Sequence, residues 1–181
     1  MTIPGDGLRE RGVPDCYLSI VVAWWWDGGK QRGVLRMDDA ELNPAAVEIG
    51  RFFARPPEVV WGALTRPEVM ERWLARTVGF EAEVGVRFIL VFPTEPPSEV
   101  AAEVLVARPG EQLTFSWVYL RPESPVRWVV DWTIQPQGRG TRLLLTQTGF
   151  DIEDKRQKMA RNAMERGWRN LMPKLAEVIE S

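Results

Sequence analysis

Aromatic side chains alternate along two stretches in the second half of the chain, and they are the residues best suited to bind a ligand. If residues 112–120 and 126–135 are strands, side chains two positions apart share a face. Tryptophan and tyrosine combine apolar area with one hydrogen-bonding group, which suits a pocket for a flat molecule, although such rings also fill wide cores. The two faces are Leu113, Phe115, Trp117 and Tyr119, and Trp128, Val130, Trp132 and Ile134.

Histidine is absent from the sequence, and Cys16 is its only cysteine. Because histidine is the usual general base near neutral pH and the commonest metal ligand, serine and cysteine triads that need it are excluded. A metal site would have to consist almost entirely of carboxylates, and no calcium-loop or paired-acid spacing occurs. Glycine-rich nucleotide-binding motifs are also missing. We therefore expect no bound metal, no cofactor and no catalytic residue.

Three polar residues on the predicted strands could orient a ligand: Tyr119, Gln147 and Arg87. Each could equally be an ordinary residue of the sheet surface. Asp131 has the opposite parity from Trp132, so we expect it to face solvent.

Composition restricts the partners of the protein. Its 181 residues, 45% of them apolar, suffice for one sizeable core. A formal net charge of −2 provides no long-range attraction to nucleic acid. The lone thiol fits a reducing compartment, so we expect a cytoplasmic location. The apolar run Cys16–Trp26 is shorter than the ~20 residues of a membrane helix, so we expect no membrane span.

The chain divides near residue 45, and we interpret residues 1–45 as an N-terminal extension ahead of a domain over residues 46–181. Leu18–Trp26, followed by Asp27-Gly28-Gly29, predicts a strand that enters a tight turn toward Gln31–Met37. Alternatively, Met37 is the biological start and residues 1–36 are an upstream extension.

Regularly spaced turn residues after residue 46 predict an antiparallel meander, because the breakers between the strands are short enough for hairpins. The predicted strands are Val47–Ala54, Thr77–Glu83, Val86–Phe92, Val100–Arg108, Gln112–Leu120, Val126–Gln135 and Thr141–Thr148. Two short helices, Glu58–Leu64 and Pro67–Leu74, are predicted after the first strand. Pro57 can open the first helix, and Thr65 and Glu68 have the spacing of a capping box for the second.

A long amphipathic helix is predicted over Ile152–Glu180, with Asp151 at the cap position and Asp154 three residues on. Pro173 removes one backbone hydrogen bond, so we expect a bend there. The apolar stripe that should lie on the sheet is Ala160, Met164, Trp168, Leu171, Met172, Leu175 and Ile179. Basic residues elsewhere on the helix could form a partner or phosphate patch, but pairs four residues apart predict a solvated, self-paired face. These pairs are Asp151–Lys155, Asp154–Lys158 and Glu165–Arg169.

Three sequence blocks, in this order, resemble one known family. They are Pro57-Glu58-Val59-Val60-Trp61 with Thr65-Arg66-Pro67-Glu68 and Trp73; the segment from Pro109 to Trp117; and the segment from Gly140 to Phe150 with Gly167-Trp168. They are similar to the family related to the activator of the heat-shock-protein-90 ATPase, within the START-like (SRPBCC) superfamily of the birch pollen allergen. The resemblance covers residues 47–181. In one departure from the family, Phe80–Phe88 keeps only Gly85 and Arg87 of an Asp-x-Arg-x-Gly-Gly stretch.

The resemblance implies an α+β helix-grip fold, in which a curved antiparallel sheet of about six to seven strands surrounds the C-terminal helix. In relatives the cavity between them receives apolar molecules, so we expect a bound small apolar or aromatic molecule, with a homodimer possible. Chaperone co-regulation and a cyclase- or hydrolase-type activity, using a carboxylate whose pKa burial raises, remain alternatives. The expected ligand-binding residues are Phe88, Phe115, Trp117, Tyr119, Trp128, Trp132, Gln147, Met164 and Trp168.

Overall fold

The computed structural model describes residues 43–120 and 126–181. The hairpin predicted over Leu18–Met37 and the alternative start at Met37 lie outside the described residues. The division into residues 1–45 and 46–181 stays a prediction.

In the described residues, seven antiparallel strands form one open sheet, which confirms the predicted α+β helix-grip architecture. Their order across the sheet is β1-β7-β6-β5-β4-β3-β2, so β2 to β7 form a meander and β1 pairs with its last strand. The strands are β1 (Val47–Phe53), β2 (Arg76–Val78), β3 (Arg87–Phe92), β4 (Ser98–Arg108), β5 (Gln112–Tyr119), β6 (Arg127–Gln137) and β7 (Gly140–Thr148). β2 ends earlier than predicted because Gly79, at φ +74°, directs the chain out of the sheet.

The two faces of the sheet differ as the period-two pattern predicts. We call the face that carries Trp132 the inner face and the face that carries Asp131 the outer face. Inner-face side chains of every strand from β3 to β7 belong to one buried apolar cluster, and residues of all three helices complete it. The predicted ligand-binding residues of the strands therefore lie inside the domain.

Two short helices, α1 (Pro57–Thr65) and α2 (Pro67–Trp73), follow β1. Pro57 occupies the first turn of α1, as predicted. The predicted capping box is wrong: α2 is capped by Arg66 without a side-chain hydrogen bond. Thr65 still belongs to α1, and its hydroxyl donates to the carbonyl of Trp61 at 2.8 Å. Thr65 is therefore the last residue of α1, and the N-cap position of α2 falls on Arg66, whose side chain makes no capping hydrogen bond.

The C-terminal helix α3 (Lys155–Glu180) begins three residues later than predicted. Asp154, rather than Asp151, is its cap, and the Asp154 carboxylate accepts from the amides of Arg156 and Gln157 at 2.7 and 3.4 Å. The Asp151 carboxylate accepts from the amide of Glu153 in the turn before the helix. Helical structure continues through Pro173, and a bend there stays a prediction.

One of the three predicted ion pairs on α3 forms. Glu165 binds Arg169 at 2.8 Å, and it also binds Arg161 one turn earlier. Arg161 in turn donates to the carbonyl of Ala46 at 2.7 Å, which ties α3 to the start of β1. The predicted pairs Asp151–Lys155 and Asp154–Lys158 are absent from the described residues. Asp151 instead binds the amide of Glu153 ahead of the helix, and Asp154 binds amides in the first turn of α3.

The ion pairs of Glu165 predict a pH-dependent contribution to stability. The hydrogen bond from Arg169 and the charge of Arg161 hold the pKa of Glu165 below its usual value, against the opposing effect of burial. A carboxylate whose pKa is lowered on folding stabilises the protein above its unfolded pKa, and this contribution is lost as the pH falls through the folded pKa. Glu165→Gln should therefore lower the free energy of unfolding by up to about 1 kcal/mol at pH 7 and change it little at pH 3.

Urea unfolding of wild type and Glu165→Gln at the two pH values measures this difference. Glu71→Gln, at an exposed position of α2, is the control and should show no such pH-dependent difference. An equal cost of Glu165→Gln at pH 7 and pH 3 would contradict the prediction.

Candidate functional site

A continuous series of contacts on the inner face joins all nine predicted ligand-binding residues. The ring centroids of Phe88 and Phe115 are 5.7 Å apart, and those of Phe115 and Trp117 are 6.4 Å apart. Trp117 and Trp132 each lie 5.5 Å from the ring of Trp168 on α3. Strand parity and the apolar stripe of the C-terminal helix thus selected side chains that meet in the fold, whereas their role in ligand binding stays a prediction.

Trp168 is the central contact between α3 and the sheet. Its ring meets Trp117 and Trp132 edge to face, which is a favourable aromatic geometry. Its indole N–H donates to Oε1 of Gln147 on β7 at 2.7 Å, and both side chains are buried. Trp132 also packs against Trp73 of α2, and their ring centroids are 5.8 Å apart. The middle of the interior is therefore filled by interlocked side chains.

A second group of aromatic side chains lies where β5 ends and β6 begins. We call Trp117, Tyr119, Trp128, Phe150 and Met164 the aromatic end. The Trp128 ring is 4.9 Å from Phe150 and 6.0 Å from Tyr119, and the Tyr119 hydroxyl donates to the Met164 sulfur at 3.8 Å. Tyr119 and Met164 are only partly buried, so this end is less completely covered than the middle.

The Tyr119 hydroxyl stays protonated near neutral pH. Burial raises its pKa, and the Trp117 indole N–H, which faces the hydroxyl without the geometry of a hydrogen bond, offsets part of the rise. Thioether sulfur is a weak acceptor, so the contact with Met164 uses the hydroxyl proton weakly. This proton is therefore available to an acceptor on a ligand.

Burial along α3 is uneven. The fully buried side chains all lie in its second half: Trp168, Met172, Leu175, Ala176 and Ile179. In the first half, Ala160 and Met164 belong to the predicted stripe, but they are only partly buried. Met159, beside them, is 71% exposed. Side chains in the second half of α3 are thus more completely buried than those in the first half, which lies at the aromatic end.

Three buried N–H donors on the inner face have no hydrogen-bond acceptor among the described residues. They are Nε1 of Trp117, Nε1 of Trp128 and Nε2 of Gln147, on residues that are 2%, 5% and 0% exposed. A buried donor without an acceptor costs about 1–3 kcal/mol. Each of these donors therefore requires an acceptor that the described residues do not supply, such as a bound molecule or a water.

A groove of about 480 Å³ lies on the outer face rather than between the sheet and α3. Arg87, which sequence reasoning offered as a ligand-orienting residue, lies in this groove and pairs with Glu103 at 3.3 Å. It therefore cannot act with the aromatic side chains of the inner face. The groove is lined by Val78, Arg87, Phe88, Ile89, Ala101, Ala102, Glu103, Ser116, Val118 and Arg127.

Asp131 lies on the outer face, as its parity predicts, but the expectation that it faces solvent is wrong. It is 7% exposed, and its carboxylate accepts from Gln112 Nε2 at 2.7 Å and from the hydroxyls of Thr114 and Thr133 at 2.5 and 2.8 Å. These donors come from β5 and from β6 itself, and they replace the solvent that the carboxylate would otherwise bind. Asp131 is thus part of a satisfied polar cluster.

Besides Trp73 and Phe80, which adjoin Trp132 and Phe88, the predicted ligand-binding set omitted two rings next to its tryptophans. Phe92 shares the parity of Phe88 on β3 and lies 5.7 Å from Trp117, so strand alternation could have identified it. Phe150 follows β7 after Gly149, whose φ of +99° redirects the chain, and no periodic pattern extends across that turn.

In the described part of the chain, no group of three or more acidic or cysteine side chains could hold a metal ion. No described helix is long and apolar enough to cross a membrane.

Comparison with known proteins identifies the family. A family model described as "Activator of Hsp90 ATPase homolog 1-like protein" matches residues 54–180. The chain belongs to this family. This membership and the observed fold place the protein in the START-like (SRPBCC) superfamily, as the sequence resemblance indicated. No curated protein matches the chain.

Solved structures of similar proteins support the helix-grip assignment for this member of the Hsp90 ATPase activator family. Protein MLL2253 from Mesorhizobium loti is 30% identical with a TM-score of 0.67, and the match covers 75% of this chain and 96% of that chain. Protein CV1439 from Chromobacterium violaceum is 20% identical with a TM-score of 0.67, over 77% and 99% of the two chains. CalU16 from Micromonospora echinospora is 24% identical with a TM-score of 0.59, over 74% and 75%. The two matches below 25% identity bear on the fold alone.

Proposed function

We propose that the protein binds a small apolar or aromatic molecule between the inner face of the sheet and the first half of α3. The aromatic end would contact this molecule, and the proposal assigns no catalytic step. Its main support is the uneven burial along α3: Met164, which belongs to the aromatic end, and Ala160, one turn earlier on the same stripe, are only partly buried. A guest molecule there would complete the burial that the second half of the helix achieves with its own side chains.

The chemistry of the aromatic end favours a flat, apolar guest. Trp117, Tyr119, Trp128 and Phe150 offer ring faces and edges in several orientations, and such rings gain from stacked and edge-on contacts with an added ring. Met164 adds a flexible, polarisable side chain that adapts to guests of different outline. These properties support binding of an uncharged aromatic molecule better than binding of a sugar or a phosphate.

Titration with N-phenyl-1-naphthylamine, an uncharged dye that brightens in apolar surroundings, tests the proposal. We expect a saturable rise in emission with wild type. Met164→Trp should weaken binding by at least about tenfold, a loss of about 1.4 kcal/mol, because the larger side chain occupies the space of the dye. Met159→Trp adds the same side chain to the exposed neighbouring position and should leave binding unchanged.

Two results would contradict the proposal: no saturable binding by wild type, or equal binding by wild type and Met164→Trp. A pull-down with the chaperone tests the role that the family description suggests. Such a role would use an exterior surface, so Met164→Trp should not affect it. Loss of dye binding without loss of chaperone capture would therefore separate the two functions.

A further inference from the structure

We infer that the molecule bound at the aromatic end carries an uncharged hydrogen-bond acceptor, such as a ketone oxygen, which receives a hydrogen bond from Gln147, Trp117 or Trp128. This inference rests on the proposed function, because it names the chemical class of the guest. It adds that the site selects for an acceptor and against a donor at the same position.

Gln147 is fixed as a donor by its contact with Trp168. An indole nitrogen can only donate a hydrogen bond, so the amide atom that faces Trp168 Nε1 at 2.7 Å must be the oxygen. The Gln147 nitrogen is then directed away from this contact. It is fully buried and finds no acceptor among the described residues. Rotation of the amide would place two donors against each other, so Trp168 holds the orientation.

The two indoles are donors by their chemistry alone. Trp117 on β5 and Trp128 on β6 are directly paired in the sheet register, so their side chains are neighbours on the inner face. Gln147 is paired with Val130, two residues from Trp128, so it lies one row further along the same face. The backbones of β5 and β7 are about 10 Å apart, which is within the reach of one three-ring molecule. A guest that entered between α3 and the sheet would therefore meet the three donors within the length of one such molecule.

A charged acceptor does not fit this part of the inner face. Apart from the Tyr119 hydroxyl and the Gln147 amide oxygen, the side chains named around the three donors are aromatic or apolar, and a buried carboxylate without a cation is strongly disfavoured. The inner-face arginine of β1, Arg51, lies four residues from Val47, which pairs with Gln147. Its guanidinium donates to the carbonyl of Met172 at 3.3 Å and lies over the Phe53 ring. It is thus engaged at the opposite end of the interior.

Three tricyclic compounds of nearly equal size test the inference by displacing N-phenyl-1-naphthylamine from wild type. 9-Fluorenone carries an acceptor oxygen, fluorene carries a methylene group at the same position, and carbazole carries an N–H donor there. We expect 9-fluorenone to bind at least about tenfold more tightly than fluorene, and carbazole to bind no better than fluorene.

Two variants assign the selectivity to the donors. Gln147→Met removes the amide while keeping the length of the side chain, and the preference for 9-fluorenone over fluorene should fall several-fold. Trp168→Phe keeps a ring but releases the amide, which can then turn its oxygen toward the guest. The preference for 9-fluorenone over carbazole should therefore decrease in Trp168→Phe, an effect that loss of packing alone would not produce.

The possible failures are distinguishable. If the three tricycles displace the dye equally well, or if 9-fluorenone fails to displace it, the proposed binding stands and the inference is overturned. If the dye does not bind wild type, the proposed function fails and the inference fails with it. A tenfold preference that survives in both variants would also overturn the assignment to Gln147.

Discussion

Replacement of Trp168 by alanine is expected to lower the free energy of unfolding by about 3–5 kcal/mol, the usual range for removing a large aromatic side chain from a core. Trp168 is the ring through which α3 contacts both Trp117 and Trp132, at 5.5 Å in each case. Alanine would remove both aromatic contacts and the hydrogen bond to Gln147, and it would leave a cavity that interlocked neighbours cannot fill.

Trp168→Phe distinguishes the contribution of the aromatic ring to stability from that of the indole N–H group. Phenylalanine retains most of the aromatic contact but leaves Oε1 of Gln147 buried without its donor, at a cost of about 1–3 kcal/mol. Urea unfolding of the two variants and wild type gives the comparison. Met159→Ala, at an exposed position of the same helix, should stay within about 0.5 kcal/mol of wild type. If Trp168→Ala were no more destabilising than this control, Trp168 would not be the central contact of α3.

The meander could be predicted because its determinants are local. Alternating side chains and short breakers specify each hairpin without reference to the rest of the chain, and the predicted strands agree with the structure to within two residues at most ends. β2 is the exception. Its predicted span, Thr77–Glu83, has a strand-like composition, but it includes Gly79, whose positive φ ends the strand after Val78.

Helix caps could not be predicted reliably because several residues of suitable type lie within one turn of each helix start. Thr65 has the composition of a cap, yet α1 extends to include it. Asp151 and Asp154 are both suitable caps for α3, and the structure uses Asp154. Such choices depend on where tertiary contacts hold the helix, and the local sequence does not contain that information.

The site was predictable as a face but not as a set of contacts. Period-two alternation correctly placed Trp117, Trp128 and Trp132 on one side of the sheet. The bond between Trp168 and Gln147 also depends on how α3 is rotated against β7, and the burial of Asp131 depends on which residues of β5 lie beside it. These relations join residues distant in sequence, so they become visible only when the register and the helix orientation are known.

Gly140 at the β6–β7 hairpin provides a second large effect, for a purely steric reason. A Cβ atom there would overlap the backbone carbonyl oxygen of Phe53 and would lie 2.6 Å from Cζ of Phe52. The Phe52 ring is exposed and can move, but the carbonyl belongs to β1, which is paired with β7 through Thr141. Gly140→Ala should therefore lower the free energy of unfolding by about 3 kcal/mol. This is the upper part of the range for overpacking, because the added Cβ would overlap a backbone atom rather than a movable side chain.

The matched substitution Gly167→Ala, in the middle of α3, should have the opposite sign. Outside the neighbouring residues and the backbone of α3 itself, no atom lies within 4 Å of the added Cβ, and alanine is favoured over glycine in a helix by about 1 kcal/mol. Thermal or urea unfolding of both variants measures the difference, about 4 kcal/mol between them, since 3 kcal/mol lost adds to 1 kcal/mol gained. A Gly140→Ala variant as stable as wild type would mean that β1 can move away from the hairpin, and the pairing of β1 with β7 would then not be fixed.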